Sequence, residues 1–530
     1  MKMKRISFIP LRFLALCCFV GAMIITAGCL GQSAQTEDNV QEDNIQTLIV
    51  AGPADFDSRI EMKMNVYDVF LDINANGKTI PGHLVSSWNE SDDGLTYTFQ
   101  LNKGIEFHDG TQWNASSAAW FLEWCSQGPR KNDIAFSKIS DVSEVDEHTI
   151  QVTLKEPYGA FIKSLSSESN SHVIAPTSVE PAWSNDGEIV SFIGTGKFEV
   201  ENYVKAQSAE FVRHDPASGE GTLIDRISYR VIPDSYASVS ALRAGDVDII
   251  GVADHHSTVP YEQIPQMMND PDIIVEKQSY GRYQVVELNC KEGALSDIRL
   301  REAINLGLDR DKMVKELLAS AAEPAYSVVS PAYPWASNLA GTEYTYDPEK
   351  AKNLLDQAGW VVAGADEIRE KDGQKLTLTY IVPQGEANSD SIAVYIQSEL
   401  KKIGVEVDIL VLESGAAGEE RQKGNYDMYL HHSWGVPGLP EGPLTGKYHS
   451  TWGSWPVSYH DAELDQLIET AIATGADEDY SAAYLYIQEK YACMPLYDIE
   501  KIAAYRKAVK GFTFSASIYG LDLSTVSIEP

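Results

Sequence analysis

The sequence predicts an α/β protein of at least two lobes. Strand and helix signals alternate along residues 47–530 without internal repeats, and residues 376–412 have the pattern of a strand, a helix and a second strand. Residues 47–530 also exceed the length that one hydrophobic core usually organises, which indicates more than one lobe.

The first 29 residues have the pattern of a signal peptide. The cations Lys2, Lys4 and Arg5 precede an almost uninterrupted apolar run from 13 to 25. The string ITAGC, which ends at Cys29, resembles a lipobox and implies cleavage after residue 28 and a diacylglycerol on the Cys29 sulfur. An uncleaved membrane anchor is the alternative, because the apolar run approaches the length that spans a bilayer. Both interpretations place the residues after Cys29 outside the membrane.

Residues 29–46 predict a flexible tether. They are rich in acidic and polar side chains and contain almost nothing that a core could bury, which is a composition typical of disorder. We expect this segment to hold the folded body away from the lipid surface.

The acidic composition limits the partners that the protein can have. The formal net charge is −35, from 77 acidic and 42 basic residues. A nucleic acid needs Lys and Arg to neutralise its phosphates, so no nucleic-acid partner is expected, and an anionic membrane surface is disfavoured for the same reason. The charge fits an extracellular protein that stays soluble and monomeric.

Three of the six cysteines lie beyond the leader and the tether, namely Cys125, Cys290 and Cys493. None belongs to a CxxC pair, so neither a zinc ribbon nor a thioredoxin-type motif is present. An oxidising compartment permits one disulfide among the three, but we expect them to be mostly buried and unpaired.

Local patterns predict several individual elements. Residues 95–102 and 148–154 alternate apolar and polar positions, as half-buried strands do. Residues 240–250 predict a helix that ends at Gly245 and a short apolar strand after it.

The clearest supersecondary unit lies between residues 376 and 412. A strand at 376–382 is followed by a helix that Gly404 ends and by a strand at 405–412, which implies parallel pairing with a right-handed crossover. Two earlier helices begin at Asp297 and at Asp347, since aspartate caps free backbone N–H groups. The first runs to about residue 308, and the second has Pro348 at its first position and ends at Gly359.

Several blocks of sequence resemble one protein family. The string from Pro81 to Asn114 is similar to the family 5 extracellular solute-binding proteins, which are the peptide, nickel and opine binders of ABC importers. Further blocks follow in the order of that family: GTGKF at 194–198, LRAGDVDI at 242–249, IRLREAINLGLD at 298–309 and YDPEKAKNLLDQAGW at 346–360. The resemblance covers roughly residues 47–527.

The resemblance implies a two-lobed periplasmic-binding-protein-like fold of type II, from the large cluster with an extra subdomain in lobe 1. Lobe 1 would comprise residues 47–275 and 497–530, with the inserted subdomain at about 70–190, and lobe 2 would comprise residues 276–496. Crossing segments near Glu276–Glu287 and Met494–Ile502 would form the hinge. The ligand would then shift an open–closed equilibrium that the permease subunits read.

Within the family, the likeness is strongest to the nickel-binding branch. Both AGWVVAGADEIREKDGQ at 358–374 and HHSWGVP at 431–437 resemble that branch. Peptide binders usually continue with an acid that pairs with the α-amine of the peptide, whereas Gly438 and Leu439 stand here and Glu441 is the nearest acid. A buried ammonium without a carboxylate costs several kcal/mol, so the resemblance favours nickel or a metal chelate over a peptide.

Five histidines fall in segments that should border the cleft, and imidazole suits nickel, copper or zinc. In the nickel branch a histidine beyond the motif tryptophan contacts the metal, which implies that role for His449. His255 and His256 are further candidates for metal ligands. Adjacent histidines on a strand point to opposite faces, so at most one of His431 and His432 enters the cleft as a ligand contact.

Aromatic side chains supply further candidate ligand contacts. Trp434 would form the floor of the pocket, because an aromatic surface suits any ligand with a flat or apolar part. Trp452 and Tyr519 could line the pocket as well, with ordinary packing between lobes as the alternative for both and for Trp455.

The sequence differs from the nickel branch at one basic position, and this difference suggests candidates for a basic ligand contact. The arginine that pairs with the chelator carboxylates in that branch corresponds to Ser169 or Asn170 here. Arg130 or Arg282 would therefore replace it, and the sequence does not choose between them.

The sequence thus predicts an extracytoplasmic, lipid-anchored receptor that captures nickel or a metal chelate and delivers it to the permease subunits of an ABC importer. A receptor for an oligopeptide or another organic solute is the main alternative. An extracellular sensor or a hydrolase is a third possibility, which the lack of a Ser/His/Asp, GxSxG, HExxH or Walker motif disfavours. No enzymatic activity and no prosthetic group are expected.

Overall fold

The computed structural model describes one folded unit of the chain. The described residues are 45–58, 60–74, 78–128, 130–131, 133–166, 171–214, 223–251, 259–331, 333, 335–365, 367–384, 388–433, 440–452, 459–514 and 521–529. They belong to the second of two compact units, which are residues 1–44 and 45–530. No helix within these ranges combines the length and the apolar character needed to cross a membrane. The predicted signal peptide, Cys29 and nearly all of the tether lie outside the described residues.

The strands of the described ranges are short except for two. They are β1 (Thr47–Gly52), β2 (Asp72–Ile73), β3 (Thr79–Ile80), β4 (Val85–Glu90), β5 (Thr96–Leu101), β6 (Ile139–Asp146), β7 (Thr149–Leu154), β8 (Val179–Glu180), β9 (Glu188–Ile189), β10 (Phe198–Val204), β11 (Ser208–Arg213), β12 (Arg226–Val231), β13 (Ile249–Ile250), β14 (Ile273–Leu288), β15 (Glu323–Pro324), β16 (Val361–Val362), β17 (Arg369–Lys371), β18 (Gln374–Lys375), β19 (Thr377–Pro383), β20 (Glu406–Leu412), β21 (Met428–His432), β22 (Cys493–Arg506), β23 (Val509–Lys510) and β24 (Ser527–Ile528).

The helices alternate with these strands along the chain. They are α1 (Ile60–Lys63), α2 (Ala115–Gln127), α3 (Ile134–Ser137), α4 (Phe161–Ser164), α5 (Ser235–Ala244), α6 (Ile264–Met268), α7 (Ile298–Leu306), α8 (Arg310–Leu317), α9 (Pro348–Gln357), α10 (Ser389–Lys401), α11 (Ser414–Lys423), α12 (Glu441–Pro443), α13 (Ala462–Thr474) and α14 (Asp477–Glu489). A π-helical turn, Leu444–Tyr448, follows α12 directly. Short 3-10 helices lie at Phe56–Ser58, Pro176–Ser178, Tyr261–Gln263, Ala294–Ser296, Ala336–Leu339 and Leu523–Thr525.

One mixed sheet joins distant parts of the chain. Among the described residues its order is β10-β11-β12-β1-β13-β22-β14-β21-β19-β20, with β15 also paired to β22. The β1–β12, β19–β20 and β19–β21 pairs are parallel, and helices connect or follow their strands as expected for an α/β architecture. A separate four-stranded antiparallel sheet, β4-β5-β7-β6, lies within the stretch predicted as an inserted subdomain.

The two longest strands run side by side through the middle of the large sheet. β14 and β22 pair antiparallel from Ile273 with Arg506 to Glu287 with Cys493, and the register shifts between Ser279 and Arg282. The segments predicted to cross between the lobes fall within these two strands. Their role as a hinge, and the lobe boundaries themselves, stay predictions.

The elements predicted from local patterns are present. β5 and β7 occupy the two alternating segments, and β19, α10 and β20 form the parallel unit that was expected at 376–412. Gly245 ends α5 in the left-handed region, with a φ of 80° that a residue with a Cβ adopts only under strain. Asp347 caps α9 by accepting the N–H of Lys350 at 2.9 Å.

Two large apolar clusters form the interior. One contains the four-stranded sheet, α2 and also residues of α13 and α14, and the other contains α7, α9, α10 and β19. Cys125, Cys290 and Cys493 are free thiols, and Cys125 and Cys493 are buried, which confirms the expectation of mostly buried, unpaired cysteines.

Candidate functional site

The end of β21 brings His431 and His432 next to a buried lysine. Nδ1 of His431 lies 2.8 Å from the backbone nitrogen of His432 and 3.3 Å from Nζ of Lys447, which also donates to the His432 carbonyl at 2.8 Å. Burial, and then the charge of Lys447, lower the pKa of His431 to about 3, so the ring is neutral. Nδ1 also lies 2.7 Å from the carbonyl oxygen of His432, so it contacts both donors and an acceptor, and the neutral ring carries one N–H group and one lone pair.

Lys447 belongs to a buried group of charges, which we call the Glu287 cluster (Glu287, Arg421 and Lys447). Oε2 of Glu287 accepts hydrogen bonds from Nε of Arg421 at 2.8 Å and from its Nη2 at 2.7 Å, and Oε1 lies 2.7 Å from Nζ of Lys447. Burial raises the pKa of Glu287, but the charges of Lys447 and Arg421 and the hydrogen bond from Lys447 outweigh it and lower the pKa to about 2. Within the described residues, two cations thus face one carboxylate in this cluster.

A small cavity, the Ser433 pocket, lies at the end of β21 and has a volume of about 10 Å³, which is room for about one water molecule. Its lining is mostly aromatic and aliphatic and consists of Gly281, Tyr283, Val328, Val329, Tyr333, Ser433, Pro443 and Tyr484. Ser433 is held against β14, since its N–H donates to the Tyr283 carbonyl at 2.8 Å and its Oγ accepts from the Tyr283 N–H at 3.0 Å. Its apolar walls with a few placed polar groups resemble the lining of a small-molecule site, but the cavity is far smaller than the roughly 300 Å³ or more of such a site.

The two candidate arginines lie in different places. Arg282 stands on β14 between two residues that line the Ser433 pocket, and its side chain is buried. The guanidinium carbon of Arg130 lies 5.9 Å from the centre of the Phe121 ring and 5.7 Å from that of Trp124, in contact with α2. Arg282 alternates with these lining residues along β14 and is not part of the pocket lining, so a ligand contact by either arginine stays a prediction.

His449 and Trp452 stack on each other at the start of the loop after the π-helical turn. Their ring centres are 3.8 Å apart with an angle of 12° between the planes. Nδ1 of His449 accepts the N–H of Thr451 at 3.2 Å, and Nε2 lies 3.4 Å from Oε1 of Glu469. A metal at Nε2 would have to displace a proton and Glu469, so this geometry favours a packing role, and the metal contact predicted for His449 stays a prediction.

The other predicted site residues lie outside the described residues. They are Trp434, Tyr519, His255 and His256, together with Ser169, Asn170 and Trp455 and the lipidation residue Cys29. Within the described ranges, no three or more His, Cys, Asp or Glu side chains are grouped so that they could hold a metal ion.

Glu441, the acid nearest to the HHSWGVP motif, is buried. Its Oε1 accepts a hydrogen bond from the Tyr158 hydroxyl at 3.1 Å, while Oε2 has no hydrogen-bond partner in the described part of the chain. Burial raises the pKa of Glu441 to about 7, and the charge of Lys163 and the hydrogen bond from Tyr158 offset this effect only in part. The carboxyl is therefore neutral in mildly acidic medium.

Sequence reasoning did not identify the Glu287 cluster. Glu287 and Arg421 are 134 residues apart, and the pairing of β14 with β21 brings them together. A local signal was present only at Glu287, because a charged residue in the apolar strand sequence YQVVEL indicates a buried partner. Nothing local marks Arg421 or Lys447 as that partner.

Comparisons with known proteins agree with this architecture. A family model described as bacterial extracellular solute-binding proteins, family 5 Middle, matches residues 79–455. The chain is 28% identical over 425 residues to the nickel-binding periplasmic protein of Escherichia coli strain K12, which covers 79% of this chain and 80% of that protein. It is 27% identical over 422 residues to the oligopeptide-binding protein AppA of Bacillus subtilis strain 168, which covers 77% of this chain and 76% of that protein.

Solved structures also resemble this chain over most of its length. The crystal structure of NikA from Brucella suis in complex with Fe(III)-EDTA superposes with a TM-score of 0.83 and 25% identity, over 91% of this chain and all of that one. The likeness confirms the predicted two-lobed α/β fold of the periplasmic-binding-protein type. Nickel-binding and oligopeptide-binding proteins both stand among the relatives, as the sequence-based interpretation and its alternative expected.

Proposed function

Because the chain belongs to the family 5 bacterial extracellular solute-binding proteins, we propose that it closes two lobes around a small ligand and delivers it to an ABC importer. Lobe 1 would comprise residues 47–275 and 497–530, lobe 2 would comprise residues 276–496, and β14 and β22 would form the hinge. Binding would shift an open–closed equilibrium without chemical change to the ligand.

The ligand that we propose is an anionic metal chelate, such as nickel held by a carboxylate chelator. The observation that carries this proposal is the buried Glu287 cluster, in which two cations, Lys447 and Arg421, share one carboxylate and Lys447 also contacts the His432 carbonyl at the end of β21. An excess cation in a site shielded from water favours a ligand of negative charge.

The relatives support a chelate rather than a bare ion. One relative is named a nickel-binding protein, and a structural neighbour was solved with Fe(III)-EDTA bound. Nδ1 of His431 is already engaged with Lys447 and the backbone of His432, so the chelator would supply most of the metal ligands and the protein would recognise the chelator.

An oligopeptide is the second candidate ligand, and Glu441 favours it. One of its carboxyl oxygens has no partner in the described residues, and the side chain lies just after the HHSWGVP motif. The α-amino group of a peptide could form an ion pair with Glu441 once the Glu441 carboxyl is deprotonated. The raised pKa of about 7 weakens this candidate, because a neutral carboxylic acid attracts an ammonium group poorly.

The decisive experiment is native mass spectrometry with metal analysis, on protein purified without chelators and without a nickel affinity column. We expect a bound mass that contains nickel or another transition metal in stoichiometric amount. Bound masses that correspond to peptides and contain no metal would contradict the chelate and support the second candidate.

A titration with Fe(III)-EDTA tests the role of the buried charge. Lys447→Met should weaken binding about tenfold or more, which is about 1.4 kcal/mol, because it removes the excess cation. Lys423→Met changes an exposed lysine of α11 and should leave the affinity unchanged. Equal affinities in the Lys447 variant and the native protein would refute the electrostatic argument.

His449→Ala tests the remaining metal contact. If His449 binds the metal, the variant should lose about tenfold in affinity for Fe(III)-EDTA and keep its affinity for EDTA alone. If His449 only packs against Trp452, the variant should lower the melting temperature and leave the affinity for Fe(III)-EDTA as it was.

We also propose that a lipid on Cys29 anchors the protein to a membrane. The protein would lie at the outer face of the cytoplasmic membrane or in the periplasm. The ITAGC string and the preceding apolar run support this proposal. Cys29→Ser should release the protein into the medium or leave it unprocessed. Retention of the variant in the membrane with an unchanged mass would argue against it.

A further inference from the structure

Two segments that are distant in sequence meet around Glu441. Residues 155–164 pack against α12, α13 and α14, and we call this interface the Glu441 contact. The Gly159 N–H donates to the carbonyl of Ile472 at 3.2 Å, and the Tyr158 hydroxyl donates to Glu441 at 3.1 Å. With the lobe boundaries proposed above, residues 155–164 belong to lobe 1 and the helices belong to lobe 2, so the contact joins the two lobes.

The approach of the two segments is close. A Cβ placed on Gly159 would lie 2.5 Å from the nitrogen of Gly475 and from the oxygen of Thr474, which leaves room only for glycine. Tyr158, Phe161, Tyr480 and Tyr484 are all buried in the same apolar cluster. Glu441 thus lies in an interface that excludes water, and its side chain is only 3% exposed.

Glu441 has no cation in direct contact. Oε2 is without a hydrogen-bond partner in the described ranges, and none of the ion pairs formed by described residues includes this carboxyl. Lys163 acts on it only through longer-range electrostatics. The titratable or charged groups that face the carboxyl or its neighbours are Tyr158 and Lys163 from residues 155–164, Asp133 before α3, Tyr283 on β14, Tyr333, and Asp477, Tyr480 and Tyr484 from α14.

The surroundings suit a neutral acid rather than a carboxylate. An ionised carboxylate that is buried without a cation costs several kcal/mol, whereas a protonated one needs only hydrogen bonds. Asp133 adds a like charge, which works in the same direction as burial. When the two segments separate, water reaches Glu441 and the carboxylate form becomes favourable again.

We propose that the Glu441 contact closes with the uptake of one proton, so that closure of the lobes is favoured in mildly acidic medium. The proton comes from solvent and converts the carboxylate of the open state into a carboxylic acid in the closed state. This inference rests on the lobe closure proposed above, but not on the identity of the ligand.

The sign and the size of the effect follow from the two states. In the closed state the pKa is about 7, and in the open state it returns to the ordinary 4.5. The stabilisation by the proton is fully present below pH 4.5 and is lost as the pH rises through 7. The closing equilibrium should therefore be about 30-fold less favourable at pH 8 than at pH 5.5.

Hydrogen exchange of the ligand-free protein, followed by mass spectrometry, tests the inference. After correction for intrinsic exchange rates, peptides that cover residues 155–164 and 470–484 should lose about 30-fold in protection between pH 5.5 and pH 8. In Glu441→Gln, which cannot ionise, this loss should disappear. Peptides from α10, far from the contact in sequence, serve as the internal reference in both proteins.

Lys163→Met provides a second variant if Glu441→Gln does not fold. The charge of Lys163 lowers the pKa of Glu441, so its removal should move the midpoint of the protection loss to higher pH. The same pH dependence in the native protein and in Glu441→Gln, or an unshifted midpoint in Lys163→Met, would overturn the proton linkage. Such a result would leave the metal analysis of the purified protein untouched, so the two proposals can fail separately.

Discussion

Glu287 and Glu441 are two glutamates near the Ser433 pocket. They are equally buried, but their pKa values are shifted in opposite directions. Each side chain is 3% exposed. The carboxylate of Glu287 contacts Lys447 and Arg421 at 2.7 Å, and its pKa falls to about 2. The carboxyl of Glu441 accepts a hydrogen bond from the Tyr158 hydroxyl and also faces Tyr480, and its pKa rises to about 7.

The comparison shows that contact with a cation, rather than burial, decides the charge of a glutamate in this interior. Burial is the largest influence at both positions and raises both pKa values. At Glu287 the paired cations reverse that influence, so the charge is permanent at every physiological pH. At Glu441 nothing reverses it, so the charge changes in the range where small differences in pH matter.

The largest expected effect is the loss of a partner from the Glu287 cluster. Arg421→Met should lower the free energy of unfolding by about 3–5 kcal/mol, because it leaves a buried carboxylate with one cation instead of two. Urea denaturation at pH 7 measures this change.

A double variant distinguishes electrostatics from simple loss of volume. Glu287→Gln combined with Arg421→Met should recover part of the loss, since the carboxylate that needed the guanidinium is gone. If the double variant is as unstable as the sum of the single ones, the pairing argument fails for Glu287.

The second effect is a dependence of stability on pH at Glu441. Its pKa is raised in the folded protein, so the stabilisation by its proton is complete below pH 4.5 and lost as the pH rises through 7. Relative to Glu441→Gln, the native protein should therefore lose about 3 kcal/mol between pH 4.5 and pH 8. If the free energy of unfolding changes with pH in the same way in the native protein and in Glu441→Gln, Glu441 is neutral or solvated throughout this pH range.

The elements of the fold could be predicted wherever the signal was local. The cap at Asp347, the glycine at 245 and the alternation at 376–412 each involve residues a few positions apart, and the corresponding helices and strands are present. The central pair of β14 and β22 was expected only as two crossing segments. Its length depends on pairing between residues more than 200 positions apart, which no local pattern specifies.

The candidate site could be predicted in part for the same reason. The HHSWGVP motif directed attention to the end of β21, where Ser433 lines the pocket, and the ligand contact predicted for His431 stays a prediction. The partners that set the charge of this region, Lys447 and Arg421, come from a π-helical turn and a helix of ordinary appearance. Which polar residues are buried together follows from the packing of the whole chain, and single sequence positions do not reveal it.

The smallest expected effect concerns the close approach that keeps water away from Glu441. Gly159→Ala places a methyl group against the backbone of Thr474 and Gly475, and overpacking of this kind costs about 2 kcal/mol. Gly418→Ala is the matched control, because a Cβ there meets no atom within 4 Å and alanine in helix α11 should stabilise the protein by about 0.5–1 kcal/mol.

If Gly159→Ala also admits water to the contact, the pKa of Glu441 should fall towards 4.5. The difference in pH dependence between this variant and its Glu441→Gln double variant should then shrink. Thermal unfolding at pH 5 and pH 8 measures both quantities. A variant that is destabilised equally at the two pH values would show that the steric fit of Gly159 and the protonation of Glu441 are independent, and that the contrast with Glu287 does not depend on this contact.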